Sequence, residues 1–186
     1  TYAAQIIGFD HDTLTTADGS RTKAGITFQL VDCLKTTYSM NGSNTNVNGW
    51  RGSTMRTSTM ATLLNQLSSD LKSVLKFVNK VTSVGNSNSD LETTSDKLFL
   101  LSEIEVFGAT QYSYAGEGKQ YEYYTAGNST IKKVNGSANY WWERSPNASN
   151  TTNFCNVNSN GNANNNNASC LLYTSPSPRD GATSRM

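Results

Sequence analysis

The sequence predicts a single α+β domain with two central helices and small antiparallel sheets. Three observations support this prediction. Short runs of β-branched and aromatic residues occupy the N-terminal part, and two segments with apolar residues at helical spacing follow. The rest alternates short apolar runs with Gly- and Asn-rich turns. A chain of 186 residues is long enough to bury a hydrophobic core of its own.

Two adjacent strands are predicted near the N-terminus, over residues 5–10 and 24–34, because both runs are β-branched and aromatic. The polar stretch between them contains Asp18-Gly19 and is expected to form a turn. Residues 41–53 are rich in Gly, Asn and Ser, which predicts a loop.

Two helices are predicted in the centre of the chain. The first has an apolar face made of Met55, Met60, Leu63, Leu64 and Leu67. The second spans residues 68–81, capped by Ser68 or Ser69 with Asp70 in its first turn. Its apolar stripe is expected to face the core and consists of Leu71, Val74, Leu75 and Val78.

Shorter elements are predicted in the second half. Residues 83–97 are expected to be a polar loop, and KLFLL (97–101) a short buried strand. Ser102 is expected to cap a helical turn. Turn signals occur at Asn135-Gly136, and VNSNGN (157–162) is typical of a strand–turn–strand.

The last 17 residues read differently from the rest. CLLYTSPSPRD, which begins at Cys170, resembles the translation of a transposase-type sequencing-library adapter. We therefore expect residues 170–186 to be a non-native tail and the domain to cover residues 1–169. Without Arg179, Arg185 and Asp180, 13 basic residues balance 13 acidic ones. This balance gives no electrostatic reason to expect binding to nucleic acid or to an anionic membrane. Membrane insertion is not expected either, because no apolar run approaches the roughly 20 residues of a membrane span.

No catalytic set is visible in the sequence. His11 lies between two aspartates in a predicted turn and is expected to be solvated. Three acids could supply a pair of catalytic carboxylates: Asp96, Glu103 and Glu105. Glu103 is better explained as an acidic residue in the first turn of the helix that Ser102 caps than as a catalytic group. Glu105 is expected to be exposed. GEGKQ (116–120) lacks the ending of a phosphate-binding loop. Cys33 and Cys155 have no neighbouring His, and their pairing stays open. We expect no enzyme activity, metal or cofactor.

The segment WWERSP (141–146) is expected to be structural. Trp141 and Trp142 would point to opposite faces of a strand, so at least one belongs to the core. Arg144 is expected to bind a carboxylate or backbone carbonyls of the following loop. Together with Pro146 these residues would hold that loop rigid.

Five motifs carry a resemblance to a known family. They are NVNGWRGSTMRT, SDLKSVLKFVNK, TTSDKLFLLSEIEVFG, AGEGKQYEYY and NYWWERSP. In this order they resemble the DUF6273 family of bacterial and phage proteins, over residues 6–169. The resemblance implies a C-type-lectin-like fold, related to the formylglycine-generating-enzyme type. It also implies that the family's final strand is missing here, since the adapter-like tail replaces it.

The same resemblance suggests a meaning for the densest Asn tract, residues 147–169, where 11 of 23 residues are Asn. Similar proteins are targets of diversity-generating retroelements, which mutate adenines near the end of the target gene. Both Asn codons carry two adenines, and changing them yields many residue types but no stop codon. Asn is therefore expected wherever an unmutated, template-like sequence is meant to vary.

The resemblance marks these positions as variable ligand contacts: Asn147, Asn150, Asn153, Asn156, Asn160, Asn164, Asn165, Asn166 and Asn167. Asn158 and Asn162 resemble fixed framework residues. The alternation from Asn156 to Asn162 predicts amides on one exposed face of extended chain. Four aromatic residues are expected to support the ligand surface: Tyr121, Tyr123, Tyr124 and Trp142.

Three functions follow as alternatives. The first is a retroelement-diversified protein of a phage tail or bacterial surface that binds a protein or glycan on a cell. The second is an invariant lectin-like adhesion domain whose Asn tract is only a polar loop. The third is a formylglycine-generating-type enzyme, which the absence of a recognisable cysteine pair disfavours. The first two place the chain outside the cell, and the ligand, calcium dependence and oligomeric state stay open.

Overall fold

The computed structural model describes the backbone of residues 2–180 and the side chains of residues 2–178. Within this range there are thirteen strands. They are β1 Ala4–Phe9, β2 Thr13–Asp18, β3 Arg21–Lys23, β4 Ile26–Leu30, β5 Val78–Gly85, β6 Asn88–Asp96, β7 Leu98–Phe99, β8 Lys132–Val134, β9 Ser137–Asn139, β10 Trp141–Pro146, β11 Asn153–Val157, β12 Ala163–Asn167 and β13 Ser177–Asp180. The helices are α1 Gly49–Gly52, α2 Ala61–Gln66, α3 Ser69–Val74, α4 Glu103–Phe107 and α5 Glu122–Thr125.

The strands form four small sheets with the orders β1-β4-β13-β7, β10-β11-β12, β3-β2-β5-β6 and β8-β9. The paired strands within them are antiparallel. Short helices accompany these sheets, which confirms the predicted α+β class with small antiparallel sheets.

The N-terminal strand pair is confirmed. β1 pairs with β4, with a register shift between Ile6 and Gly8. The polar stretch between them does more than turn, because it forms the hairpin β2–β3. Gly8 has a packing reason to lack a side chain, since a Cβ there would lie 2.5 Å from Glu122 Oε2.

The first predicted helix is present, although it begins as a π-helical turn, Met55–Met60, that runs into α2. Met55 and Met60 are buried, and Leu63 and Leu64 pack against the core.

The second predicted helix is shorter than expected. The Ser68 hydroxyl accepts a hydrogen bond from Leu71 N, as its capping role requires, but α3 ends at Val74. Leu71 and Val74 are each 40% exposed, whereas Leu75 and Val78 are buried, the latter as part of β5, so only half of the predicted core stripe is confirmed. The run from Val78 alternates buried and less buried side chains, and its β-branched residues favour a strand over continued helix.

The polar stretch over residues 83–97 is not the expected loop, because it contains the end of β5, a two-residue turn and β6. β5 and β6 form a long hairpin, closed by Asn86 and Ser87 with left-handed φ values of 57° and 54°. The polar side chains of Thr94 and Asp96 point into the molecule, where they meet other polar groups. Burial of polar residues in the strand concealed it from a hydrophobic-pattern prediction.

The predicted elements that follow are confirmed. Residues 98–101 are buried around β7, and α4 begins with Ser102 in a reciprocal capping box with Glu105. The turn at Asn135-Gly136 joins β8 to β9. The strand–turn–strand is the β11–β12 pair, with its turn over residues 158–162.

The structure corrects the expectation that a final strand is missing. Residues 177–180 form β13, which lies between β4 and β7. Backbone N–H and C=O groups can complete such a ladder whatever the side chains are. Pro178, paired with Leu98, has no N–H to donate, which is unusual in an inner strand. The adapter origin of the tail stays a prediction about the coding DNA.

The core gathers aromatic side chains from every part of the chain. The largest fully buried hydrophobic side chains include Trp50, Phe99, Trp141, Trp142 and Phe154. The described part of the chain contains no helix that is long and apolar enough to span a membrane.

Candidate ligand-binding surface

WWERSP forms β10, and all six of its residues are buried. Trp141 Nε1 donates to Thr130 O at 3.0 Å, and Trp142 Nε1 donates to Tyr38 O at 2.8 Å. The two indoles therefore lie in the core with their polar atoms bonded, as a structural role for this segment requires.

Arg144 is the centre of the polar interior. Its guanidinium donates to both carboxylate oxygens of Glu105 and to Thr82 Oγ1. It also donates to the backbone carbonyls of Leu100, Val81 and Glu117, each at 3.0 Å. The expected binding to a carboxylate and to carbonyls is present, although these carbonyls belong to other segments than the loop after Pro146.

The Arg144–Glu105 pair belongs to a larger buried ion network. Lys80 Nζ lies 2.6 Å from Glu105 Oε1 and 2.9 Å from Asp12 Oδ1. The Tyr121 hydroxyl donates to Asp12 at 2.9 Å. Burial alone would raise the pKa of both carboxyls. Lys80 instead lowers the pKa of Asp12 below its usual value, and Arg144 together with Lys80 does the same for Glu105. The expectation that Glu105 is exposed is wrong, because it neutralises two buried cations.

His11 is buried rather than solvated, contrary to expectation. Its ring stacks on Tyr121 with centroids 3.8 Å apart, and Nδ1 lies 3.3 Å from both Glu122 carboxylate oxygens. Asp12, next in the chain, is 4% exposed. The segment DHD thus turns two of its three side chains inward, a direction that the sequence pattern does not reveal.

The loop between β10 and β11 is held by asparagine side chains. Asn147 Oδ1 accepts from Ser149 N and Ser149 Oγ, both at 2.8 Å. Asn150 Oδ1 accepts from the backbone N–H groups of Thr152 and Asn153. These are local turn-forming contacts of the kind that Asn makes readily. They engage the side chains of Asn147 and Asn150 in building the loop.

Asn46 fastens this loop to the rest of the domain. It is fully buried, and its Nδ2 donates to the carbonyls of Asn150 and Asn153 at 2.9 Å. Its Oδ1 accepts from Asn86 N, which links the loop to the β5–β6 turn. The role of Asn46 could not be predicted from the sequence, because one Asn in an Asn- and Gly-rich loop carries no distinguishing signal.

β11 and β12 spread the remaining amides over both faces of the sheet. Across the pair, Asn153 Nδ2 donates to Asn165 Oδ1 at 2.6 Å on one face. On the other face Asn156 Nδ2 donates to Asn166 Oδ1 at 2.9 Å. β12 is an edge strand, and its residues are half-buried or exposed on both sides. Its outer edge is partly closed by Asn164 Oδ1, which accepts from Asn165 N.

The expected single face of amides from Asn156 to Asn162 is wrong. β11 ends at Val157, and residues 158–162 form a turn. Asn158 Oδ1 accepts from the backbone N–H groups of Asn160 and Asn162, so Asn158 acts as a framework residue. Gly161 has φ of 82°, and a Cβ there would lie 2.6 Å from Thr130 Oγ1. The turn therefore depends on its glycine.

The side chains of the predicted contact residues differ in their exposure to solvent. Asn147 is 2% exposed and Asn156 is fully buried, so the expected exposure of these two amides is wrong. Asn150 and Asn153 are half-buried. Among the positions predicted to vary, five are half-buried or exposed in the turn and β12, and we call them the outer asparagines: Asn160, Asn164, Asn165, Asn166 and Asn167.

The expected aromatic support is largely absent from the surface. Tyr121 and Trp142 are fully buried, and Tyr124 is 5% exposed with its hydroxyl bonded to Gln29. A ligand reaches none of these three side chains, since each is enclosed by the core. Tyr123 is half-buried and lines a cavity beside Ile131.

A cavity of about 460 Å³ opens beside the β11–β12 turn. Its lining includes Phe107, Gln111, Asn162 and Ala163, and Glu103 forms part of its wall. Glu103 is fully buried and accepts from Tyr112 N, Ser113 N and Ser113 Oγ, which makes this wall rigid. The cavity places fixed polar and aromatic groups next to the outer asparagines.

The profile of DUF6273, a domain of unknown function, matches residues 24–174. The chain belongs to the DUF6273 family. The matched region of this DUF6273 chain contains β10 to β12, the whole Asn tract and the first five residues of the adapter-like tail. No curated protein and no solved structure matches the chain.

Cys33 and Cys155 of the DUF6273 chain are unpaired and buried. Burial raises the pKa of the Cys33 thiol to about 12, and burial with nearby Glu103 raises that of Cys155 well above its usual value. Thiols in this state are poor nucleophiles. In the described part of the chain no group of three or more His, Cys, Asp or Glu side chains is arranged to hold a metal.

Proposed function

We propose that this DUF6273 protein displays a replaceable ligand-binding surface, formed by the outer asparagines on a rigid domain. The proposal rests on one observation, that the Asn side chains of a single tract differ in what they contact. Some amides build the loop and turn, whereas the outer asparagines have side chains that reach solvent. Exposed side chains on a rigid support are what a surface needs to tolerate change.

The fold and the biological setting are part of the proposal. A C-type-lectin-like fold, and diversification by a retroelement that mutates adenines, would account for Asn at positions that have no shared structural duty. The protein would then act on a phage tail or bacterial surface and bind a protein or glycan on a cell. Replacing Asn by Tyr, Asp, His or Ser supplies the aromatic and polar groups that dominate antibody contacts.

The buried amides narrow the variable set. Asn147 and Asn156 lie where a new side chain would meet packed atoms, and Asn158 is committed to the turn. Variation is therefore proposed at the outer asparagines first. Asn150 would tolerate it less, because its Oδ1 accepts from two backbone N–H groups of the loop. Changing Asn153 or its partner Asn165 would remove the same side-chain bond across the sheet.

The complete genomic locus tests the retroelement origin. We expect a reverse-transcriptase gene nearby and a repeat of the Asn-rich coding segment that differs from it only at adenines. A complete locus with neither feature would overturn the retroelement part of the proposal. It would leave the binding surface itself to be tested separately.

A second candidate, an invariant adhesion domain, is favoured by the cavity beside the β11–β12 turn. Its aromatic ring at Phe107 and its amides at Gln111 and Asn162 are groups that suit a neutral sugar. Binding of the domain on a glycan array, with no variation at the Asn codons among related genomes, would favour this candidate over the first.

A further inference from the structure

A second cavity, separate from the Asn tract, opens between the β2–β3 hairpin, β5 and the GEGK segment over residues 116–119. Its volume is about 380 Å³, and no residue of the Asn tract lines it. The lining is rich in charged and polar side chains, and it includes His11, Lys23, Asn79 and Lys119.

The floor of this cavity is electrically balanced. Asp12 and Glu105 line it, and Lys80 between them forms ion pairs with both. Arg144 completes the balance from behind, through Glu105. Two buried acids face two buried cations, so the floor adds no net charge and is held in place by the ion network.

One wall offers an unused nitrogen on a fixed ring. His11 is 7% exposed, stacks on Tyr121 and places Nδ1 beside the Glu122 carboxylate. When Nδ1–H is directed at Glu122, the other ring nitrogen, Nε2, is left as the acceptor of that tautomer. Nε2 has no hydrogen-bond partner among the side chains that the structure describes. A ligand hydroxyl would satisfy it.

The rim carries two lysines without carboxylate partners. Lys23 Nζ is positioned by hydrogen bonds to His11 O at 3.3 Å and Thr13 Oγ1 at 2.9 Å. Lys119 is exposed on the GEGK segment, where Gly116 and Gly118 have left-handed φ values of 95° and 112°. Neither lysine forms an ion pair within the region described. Two uncompensated positive charges thus stand above a neutral floor.

We infer that this cavity binds a small oxyanion that also carries a hydroxyl group, such as hydrogen phosphate or a hydroxy acid. Lys23 and Lys119 neutralise the anion, and His11 Nε2 accepts a hydrogen bond from its hydroxyl group. The amide of Asn79, which also lines the cavity, provides a further hydrogen-bonding group. The site is independent of the Asn tract, so it stands or falls apart from the proposed diversified surface.

Titration of the full chain with inorganic phosphate, followed by NMR or calorimetry, tests the inference. We expect saturable binding in the range of about 1–10 mM, typical of a small ion held by a few contacts. Removing one rim charge, by Lys23→Gln or Lys119→Gln, should weaken binding by about fivefold, the strength of one screened charge contact. The matched control is Lys35→Gln, which removes an exposed charge that does not line the cavity.

His11→Phe tests the hydroxyl contact, because phenylalanine preserves the stacking on Tyr121 and removes Nε2. It should weaken phosphate binding and leave the weaker binding of acetate, which has no hydroxyl, unchanged. A circular dichroism melt of each variant establishes that it is folded. Absence of saturable phosphate binding by the parent chain overturns the inference. So does an equal effect of Lys35→Gln and the two rim substitutions.

Discussion

Glu143 is an acidic residue that lies fully buried in the interior. Both of its carboxyl oxygens are buried without a hydrogen-bond partner among the described residues. Burial, with Glu103 and Glu117 nearby, raises its pKa well above the usual value. A carboxyl whose pKa is raised by folding lowers the stability of the folded chain as the pH rises above its unfolded pKa, near 4.

Glu143→Met should therefore stabilise the protein at pH 7, by about 1–3 kcal/mol, because a flexible apolar side chain replaces an unsatisfied polar one. The sign follows from the raised pKa. Stability from the protonated carboxyl is complete below its unfolded pKa and declines as pH rises, so the advantage of the variant grows with pH. Urea unfolding at pH 4 and pH 7 measures it. A variant that is less stable than the parent at both pH values would contradict this account.

Asn46 is a single residue on which the Asn-rich loop depends. Asn46→Ala should lower the free energy of unfolding by about 2–3 kcal/mol, because it removes the side-chain donor to the Asn150 carbonyl, one of two donors to the Asn153 carbonyl, and the acceptor of Asn86 N. Asn160→Ala is the matched control, since its exposed amide makes no side-chain hydrogen bond within the described chain, and its change should stay within about 0.5 kcal/mol. Urea unfolding measures both changes. Equal losses of unfolding free energy for the two substitutions would show that the loop does not depend on Asn46.

Sequence patterns predicted apolar burial better than polar burial. Trp141 and Met55 were placed in the core correctly, since large apolar side chains have one favourable location. Glu105 and His11 were expected at the surface, because a charged side chain is buried only when partners from distant segments meet it. Those partners, Lys80 and Tyr121, are far away in sequence, so no local pattern announces them.

At the scale of elements, turns were predicted more reliably than the boundary between helix and strand. Gly and Asn signal left-handed backbone directly, as at Asn135-Gly136. The run after Ser69 has apolar residues that fit a helix, yet it changes to β5 at Val78. Pairing with β6 favours the strand over the helix. The spacing of apolar residues within the segment does not show this contact, because the partner strand lies further along the chain.

Gly161 lets the β11–β12 turn approach Thr130 and Ile131. Gly161→Ala should cost about 1–3 kcal/mol, because the left-handed backbone is strained for alanine and the new methyl has no space. Gly136→Ala shares the left-handed φ, 85°, but its Cβ meets nothing within 4 Å. Thermal unfolding should show the larger loss for Gly161→Ala. A loss no greater than that of Gly136→Ala would mean that close packing does not constrain this turn.

At the scale of the whole molecule, the buried ion network joins segments that span most of the chain. Lys80→Met should destabilise the protein by about 3–5 kcal/mol at pH 7, because it leaves Asp12 and Glu105 short of a buried cation. Both carboxyls have lowered pKa values, so the stability they contribute is present above their unfolded pKa, near 4, and is lost as pH falls. The loss caused by Lys80→Met should therefore shrink at low pH.

Urea unfolding of the parent and Lys80→Met at pH 7 and pH 3 measures this difference. Lys35→Met, which removes an exposed lysine, serves as the control and should change little. A loss for Lys80→Met that is the same at both pH values would show that its effect is one of packing rather than charge.

We propose that one rigid domain combines replaceable outer asparagines with inner asparagines whose change unfolds it. We define the inner asparagines as Asn46, Asn147, Asn156 and Asn158. The most direct measurement randomises each set with codons that keep a pyrimidine at the third position, displays both libraries, and scores protease resistance. The account predicts that most variants of the outer asparagines stay folded, whereas most variants of the inner asparagines do not. Equal survival of the two libraries would contradict it.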